Sequence, residues 1–72
     1  FDLPERTPVR LSVYSADGRK VRTLNDGVMP PGRCHITWDG RDDAGRQVAS
    51  GVYFARLKAR EKTASHRMVL LR

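Results

Sequence analysis

Three carboxylates fall within five positions, Asp39, Asp42 and Asp43, inside the run WDGRDDAG. Clustered carboxylates of this kind suit hard cations such as Ca²⁺. The spacing does not fit that chemistry, because a calcium loop of the D-x-D-x-D-G type turns every second side chain inward, whereas Arg41 interrupts this cluster and Arg46 follows it. The better reading is a chain reversal: Asp39 and Asp42 accept backbone N–H bonds in Asx-type turns, and Gly40 and Gly45 supply the positive φ of adjacent tight turns. The remaining groups with chemistry are Cys34, His35, Ser50, Ser65 and His66. No spacing pairs them into a nucleophile and base, neither histidine stands in HExxH, and the glycines form neither GxGxxG nor a phosphate loop. Cys34 is the sole cysteine, so no internal disulfide or CxxC zinc site exists. The sequence thus assigns no catalytic, metal or cofactor-binding residue, and an enzyme is not expected.

The elements that must hold these residues read as strands. Val9, Leu11 and Val13 alternate with Arg10, Ser12 and Tyr14, which gives one face to a core and one to water. Ala16-Asp17-Gly18 predicts a hairpin turn, with Lys20 to Leu24 returning. Asn25 to Gly32, with Asn-Asp-Gly and Pro30-Pro31-Gly32, predicts a connection that carries the chain between sheets. Cys34, Ile36 and Trp38 would share the inner face of the next strand, with Cys34 buried and His35 facing solvent. Trp38 then closes that strand, Asp39 to Gly45 reverses the chain, and Gly51 to Ala59 forms the strongest strand. Its phase follows from Arg56 and Lys58, which need water and so send Tyr53, Ala55 and Leu57 inward, leaving Val52 and Phe54 outside. Arg60 to Thr63 reads as a polar turn. In the last strand, from Ser65, Met68 and Leu70 lie on one face and Arg67, Val69 and Leu71 on the other, so it should be well covered or meet a partner. Counting Phe1 to Leu3, six or seven short strands with turns every 8 to 12 residues predict an all-β fold, a small antiparallel immunoglobulin-like β-sandwich.

Size and charge narrow the function. Seventy-two residues allow one domain, residues 1–72, and a domain of this length buries only about 60% of its unfolded surface. The net charge of +6 is concentrated toward the C-terminus, where Arg56, Lys58, Arg60, Lys62, Arg67 and Arg72 stand against Glu61 alone. These bases alternate along strands without aromatic interleaving, so a solvated strand face is the better reading and nucleic acid is not the expected partner. No stretch approaches the roughly 18 to 20 apolar residues of a membrane-spanning helix. Phe1 stands inside what reads as a strand, so the chain is expected to be the C-terminal part of a longer protein, its first strand truncated.

The segments VRLSVYSADGRKVRTL, PPGRCHITWDGRDDAGRQVASGVYFARL and RMVLLR, in that order, carry a further signal. Together they resemble the immunoglobulin-like domain shared by the flagellar hook-capping protein and by C-terminal sorting domains of the type IX secretion system, over nearly the whole chain. The resemblance implies three recognition segments: Pro30-Pro31-Gly32, Gly51-Val52-Tyr53, and Arg67-Met68-Val69-Leu70-Leu71-Arg72. It also implies export through the periplasm to the cell surface or medium, with the secretion machinery or the parent protein's other domains as partners and no cofactor. The expected function is a non-catalytic sorting or surface-attachment module. The alternatives are an assembly module in which Val52, Phe54, Val69 and Leu71 bury against neighbours and a strand edge pairs with another chain, and a carbohydrate-binding accessory module using Tyr14 and Phe54.

Overall fold

A computed structural model of the chain describes residues 2–60 and 62–71. Among them are six strands and no helix: β1 (Asp2–Leu3), β2 (Thr7–Ser15), β3 (Lys20–Met29), β4 (Gly32–Arg33), β5 (Gly51–Ala59) and β6 (Lys62–Leu70). The alternation that marks β2 and β5 places both at the centre of a four-stranded antiparallel sheet of order β3-β2-β5-β6, and β1 pairs with β4 in a second sheet. The fold is the small antiparallel immunoglobulin-like β-sandwich expected from the periodicity.

The core lies where the small sheet crosses the large one. Leu3 of β1 packs with Val9 and Ala59, and Met29, Cys34 and Leu57 close around them. Farther along the same inner face Val13 is wholly buried, with Leu11 and Tyr53 at 8% exposure. The phase derived for β5 holds: Tyr53 and Ala59 are buried, Ala55 and Leu57 half-buried, and Phe54, Arg56 and Lys58 exposed. Cys34 is half-buried against the core, not fully enclosed, and His35 is exposed.

Three boundaries differ from the sequence reading. The β3 strand runs to Met29, so the passage between sheets begins at Pro30 instead of Asn25. Asn25 keeps its place because its Nδ2 donates to the Val9 carbonyl at 2.8 Å, and Asp26 pairs with Arg10 at 3.6 Å across the strands. Turn-prone residues are tolerated here because β3 is an edge and is already irregular: its register against β2 shifts twice, leaving Val21 and Leu24 as extra residues.

The expected strand from Cys34 to Trp38 is reduced to Gly32–Arg33, paired with Asp2–Leu3. Residues 34–38 keep the predicted alternation, with Cys34, Ile36 and Trp38 half-buried and His35 and Thr37 exposed. They lie outside the named strands, since burial alternates along any extended chain laid on a core, whether or not a ladder forms.

The third difference is at the end. The turn after β5 is shorter than Arg60 to Thr63, because Ala59 already pairs with Lys62. Polar Lys62 and Thr63 belong to β6, and Lys62 to Arg67 are all exposed. The last strand is therefore an exposed edge and not a covered one. Polarity marks a turn only where a strand would be buried, and this strand is not. Phe1, Glu61 and Arg72, which enter the readings of the first strand, of this turn and of the C-terminal segment, lie outside the described residues.

Ser12 gives the first test. It is 2% exposed and its Oγ has no hydrogen-bond partner among the described residues. Burying an unpaired hydroxyl costs stability, so Ser12→Ala should stabilise the domain by about 1 kcal/mol in urea unfolding. A loss of stability of the same size would show that the hydroxyl is satisfied in solution.

Candidate interaction surface

The acidic cluster of Asp39, Asp42 and Asp43 folds as a corner. The Oδ1 atom of Asp39 accepts from the Arg41 backbone N–H at 3.1 Å and meets the Arg22 guanidinium at 3.4 Å. Asp42 Oδ1 accepts from the backbone of Ala44 and Arg46 at 3.0 and 2.9 Å, and Asp43 Oδ1 from the backbone of Thr23 at 2.9 Å. Gly40 and Gly45 carry φ of 75° and 83°, the left-handed values that turns at these positions require. The carboxylates are spent on backbone donors and a guanidinium. Asp43 does more than turn the chain, since its own N–H also donates to the Val21 carbonyl at 3.1 Å. The corner is thereby tied to the outer edge of β3.

A half-buried indole holds the corner down. Trp38 meets Tyr53 edge-on, with ring centroids 5.1 Å apart and planes at 63°. Its Nε1–H donates to the Arg41 carbonyl at 2.9 Å, and the Tyr53 hydroxyl donates to the Ala49 carbonyl at 2.7 Å. One aromatic pair thus links the start of β5 to both ends of the corner.

At the first hairpin the Ser15 hydroxyl donates to the Asp17 carboxylate. That bond first, then one from the Arg19 backbone, holds the Asp17 carboxyl below its ordinary value of 3.8. A depressed folded-state pKa contributes stability that is present above about 3.8 and is lost as pH falls through the lower folded value. Ser15→Ala should move the Asp17 titration upward toward that ordinary value when followed by carboxyl-carbon NMR. An unmoved titration would assign the shift to Arg19 instead.

The three predicted recognition segments divide between the ends of the sheet. Gly51, Val52 and Tyr53 pair with Leu70, Val69 and Met68, so the second and third segments form one patch. Pro30-Pro31-Gly32 follows Met29, the partner of Thr7, while Tyr53 is the partner of Ser15. The length of β2 separates them, about 26 Å at the usual rise of a strand. Within the joined patch Tyr53 is a core residue, and Met68 and Leu70 are half-buried on the inner face. The outward groups are Val69 and Leu71, exposed by 59% and 83%, with Phe54 at 36% beside them.

Charge surrounds this apolar patch. Phe54 pairs with Arg67 on one side and with Tyr14 on the other, and the Arg56 guanidinium lies 4.9 Å from the Tyr14 ring centre. The two aromatics named for sugar stacking are brought together, around a shallow depression of about 210 Å³ that Arg56 and Ser65 also line. Arg56 already lies over the Tyr14 ring, however, in the kind of position a stacked sugar would take.

Sequence reasoning missed two features that matter here: the bulges of β3, and the capping of that edge by Asp43. Neither has a local signature, since both depend on which segments meet.

Among known proteins, no curated protein and no solved structure matches the chain. The family model described as the FlgD Ig-like domain matches residues 1–63. The match covers β1 to β5 and ends within β6, so the corner, the aromatic pair and the central ladder fall inside it. The two-sheet all-β architecture agrees with that description, and the chain belongs to the FlgD Ig-like domain family.

Proposed function

We propose that the chain is a non-catalytic structural module through which a larger secreted or surface protein binds its neighbours. The observation that carries this reading is the outer face of β5 and β6, where Val52 pairs with Val69 and Phe54 and Leu71 extend the apolar area. Apolar groups gathered on the solvent face of a sheet are a liability for an isolated domain and an asset for one that docks. Family membership supports the same reading, the match being to an Ig-like domain. In the full-length protein, Phe54→Glu with Val69→Glu should abolish in-cell cross-links to its neighbour while moving the thermal midpoint of the domain by no more than about 4 °C. Cross-links that survive both substitutions would end this reading.

Sorting by a type IX secretion system is the more specific form of the proposal. It is favoured by the pairing of Gly51–Tyr53 with Met68–Leu70, which joins two of the three implied recognition segments at an exposed edge. Residues 1–72 fused to a periplasmic reporter should then direct its export from a host with that system. Retention of the reporter in the periplasm would leave assembly as the function.

A further inference from the structure

The two edges of the large sheet are built differently. The β3 edge is irregular and occupied: two bulges break its register, Asp43 bonds to the backbone of Val21 and Thr23, and Pro30-Pro31 ends it. The β6 edge has none of these devices. It pairs with β5 through nine consecutive residues without a register shift, from Ala59 opposite Lys62 to Gly51 opposite Leu70, and contains no proline. A long regular edge presents a row of backbone donors and acceptors to any strand that can lie beside it.

Charge limits what that strand can be. β6 carries Lys62, His66 and Arg67, the adjacent β5 carries Arg56 and Lys58, and neither strand contains an acid. Among the described residues the ion pairs engage Arg10, Arg22, Arg33 and Arg60, and none of them engages Arg56, Lys58, Lys62 or Arg67. A second copy of the chain would bring the same cations to the seam, and like charges across paired strands are unfavourable. An acidic strand meets the opposite situation. Its apolar residues, alternating with the acids, would extend the half-buried row of Met68 and Leu70 on the inner face.

We infer that β6 is a receiving edge for an extended segment of another protein, one that alternates acidic with apolar residues and adds to the large sheet as a fifth strand. This rests on the reading of the chain as a protein-interaction module and names the chemistry of its partner. Strand addition uses backbone hydrogen bonds for affinity, while Arg67, with Arg56 and Lys58 on the same outer face, selects for acids on that face of the added strand.

The test uses synthetic nine-residue peptides and the full-length protein. A peptide alternating valine with glutamate should bind and should slow amide exchange along residues 62–71. The same peptide N-methylated at alternate residues loses its edge donors and should bind at least tenfold more weakly, as should one alternating valine with lysine. Arg67→Glu, checked for an unchanged thermal midpoint, should weaken the glutamate peptide and strengthen the lysine peptide. Equal binding of the N-methylated peptide, or exchange protection elsewhere than β6, would overturn strand addition. Protection of β6 that appears without peptide and disappears on dilution would assign the edge to a second copy. If the peptides fail while Phe54→Glu with Val69→Glu still abolishes the cross-links, only this inference falls. If neither has an effect, the interaction reading falls with it.

Discussion

Tyr53→Ala should unfold the domain near physiological temperature, whereas Tyr53→Phe should cost only about 1 kcal/mol. Truncating a large buried aromatic costs about 3–5 kcal/mol through lost contacts and the cavity left behind. A domain of this length has roughly 4–10 kcal/mol of stability in total. Tyr53 is 8% exposed, sits at the start of β5, and touches two separate segments, through its ring to Trp38 and through its hydroxyl to the Ala49 carbonyl. The Phe variant keeps the ring and loses only the second contact, whose net worth is about 1 kcal/mol. Urea unfolding of the two variants side by side separates the contributions. Equal costs would mean that the hydroxyl carries the whole contribution and that the ring contact with Trp38 fastens nothing.

Tyr53 also illustrates how far the sequence could be read. Its inward direction followed from Arg56 and Lys58 alone, because a strand of period two leaves no freedom once two positions must face water. The same logic recovered Val9, Leu11 and Val13 as core residues and placed Phe54 outside. Period-two logic weakens at the edges. Lys62 and Thr63 read as a turn because their polarity suits an exposed loop, and Asn25-Asp26-Gly27 read as a connection because their turn preference is strong. In each case a neighbouring strand supplied the hydrogen bonds that the local sequence did not call for, through the Ala59–Lys62 and Val9–Gly27 pairings. The candidate surface divides in the same way. That Val52, Phe54, Val69 and Leu71 share a face could be read from phase, but that they form one patch depends on the pairing of Val52 with Val69. The Asp cluster was legible as a corner from its spacing. Its grip on β3 was not, since that contact spans twenty residues of chain.

Trp38→Ala should cost about 2–4 kcal/mol, somewhat less than full burial of the indole would imply, because the ring is only half-buried. Its larger consequence should lie at the opposite side of the sheet. The indole N–H holds the Arg41 carbonyl and the ring packs on Tyr53, so removing it releases the corner that carries Asp43. Asp43 is what occupies the backbone of Val21 and Thr23. Without it the edge of β3 opens while that of β6 is already open, and a sheet with two available edges can propagate contacts from chain to chain. Trp38→Ala should therefore show light scattering that rises with protein concentration well below its thermal midpoint, whereas Trp38→Phe, which keeps a ring against Tyr53, should remain clear. Asp43→Ala separates the two effects, because it should scatter like Trp38→Ala while losing about 1 kcal/mol or less of stability. If Asp43→Ala stays monodisperse at every concentration, the bulges of β3 alone are sufficient to close that edge, and the corner serves only to reverse the chain.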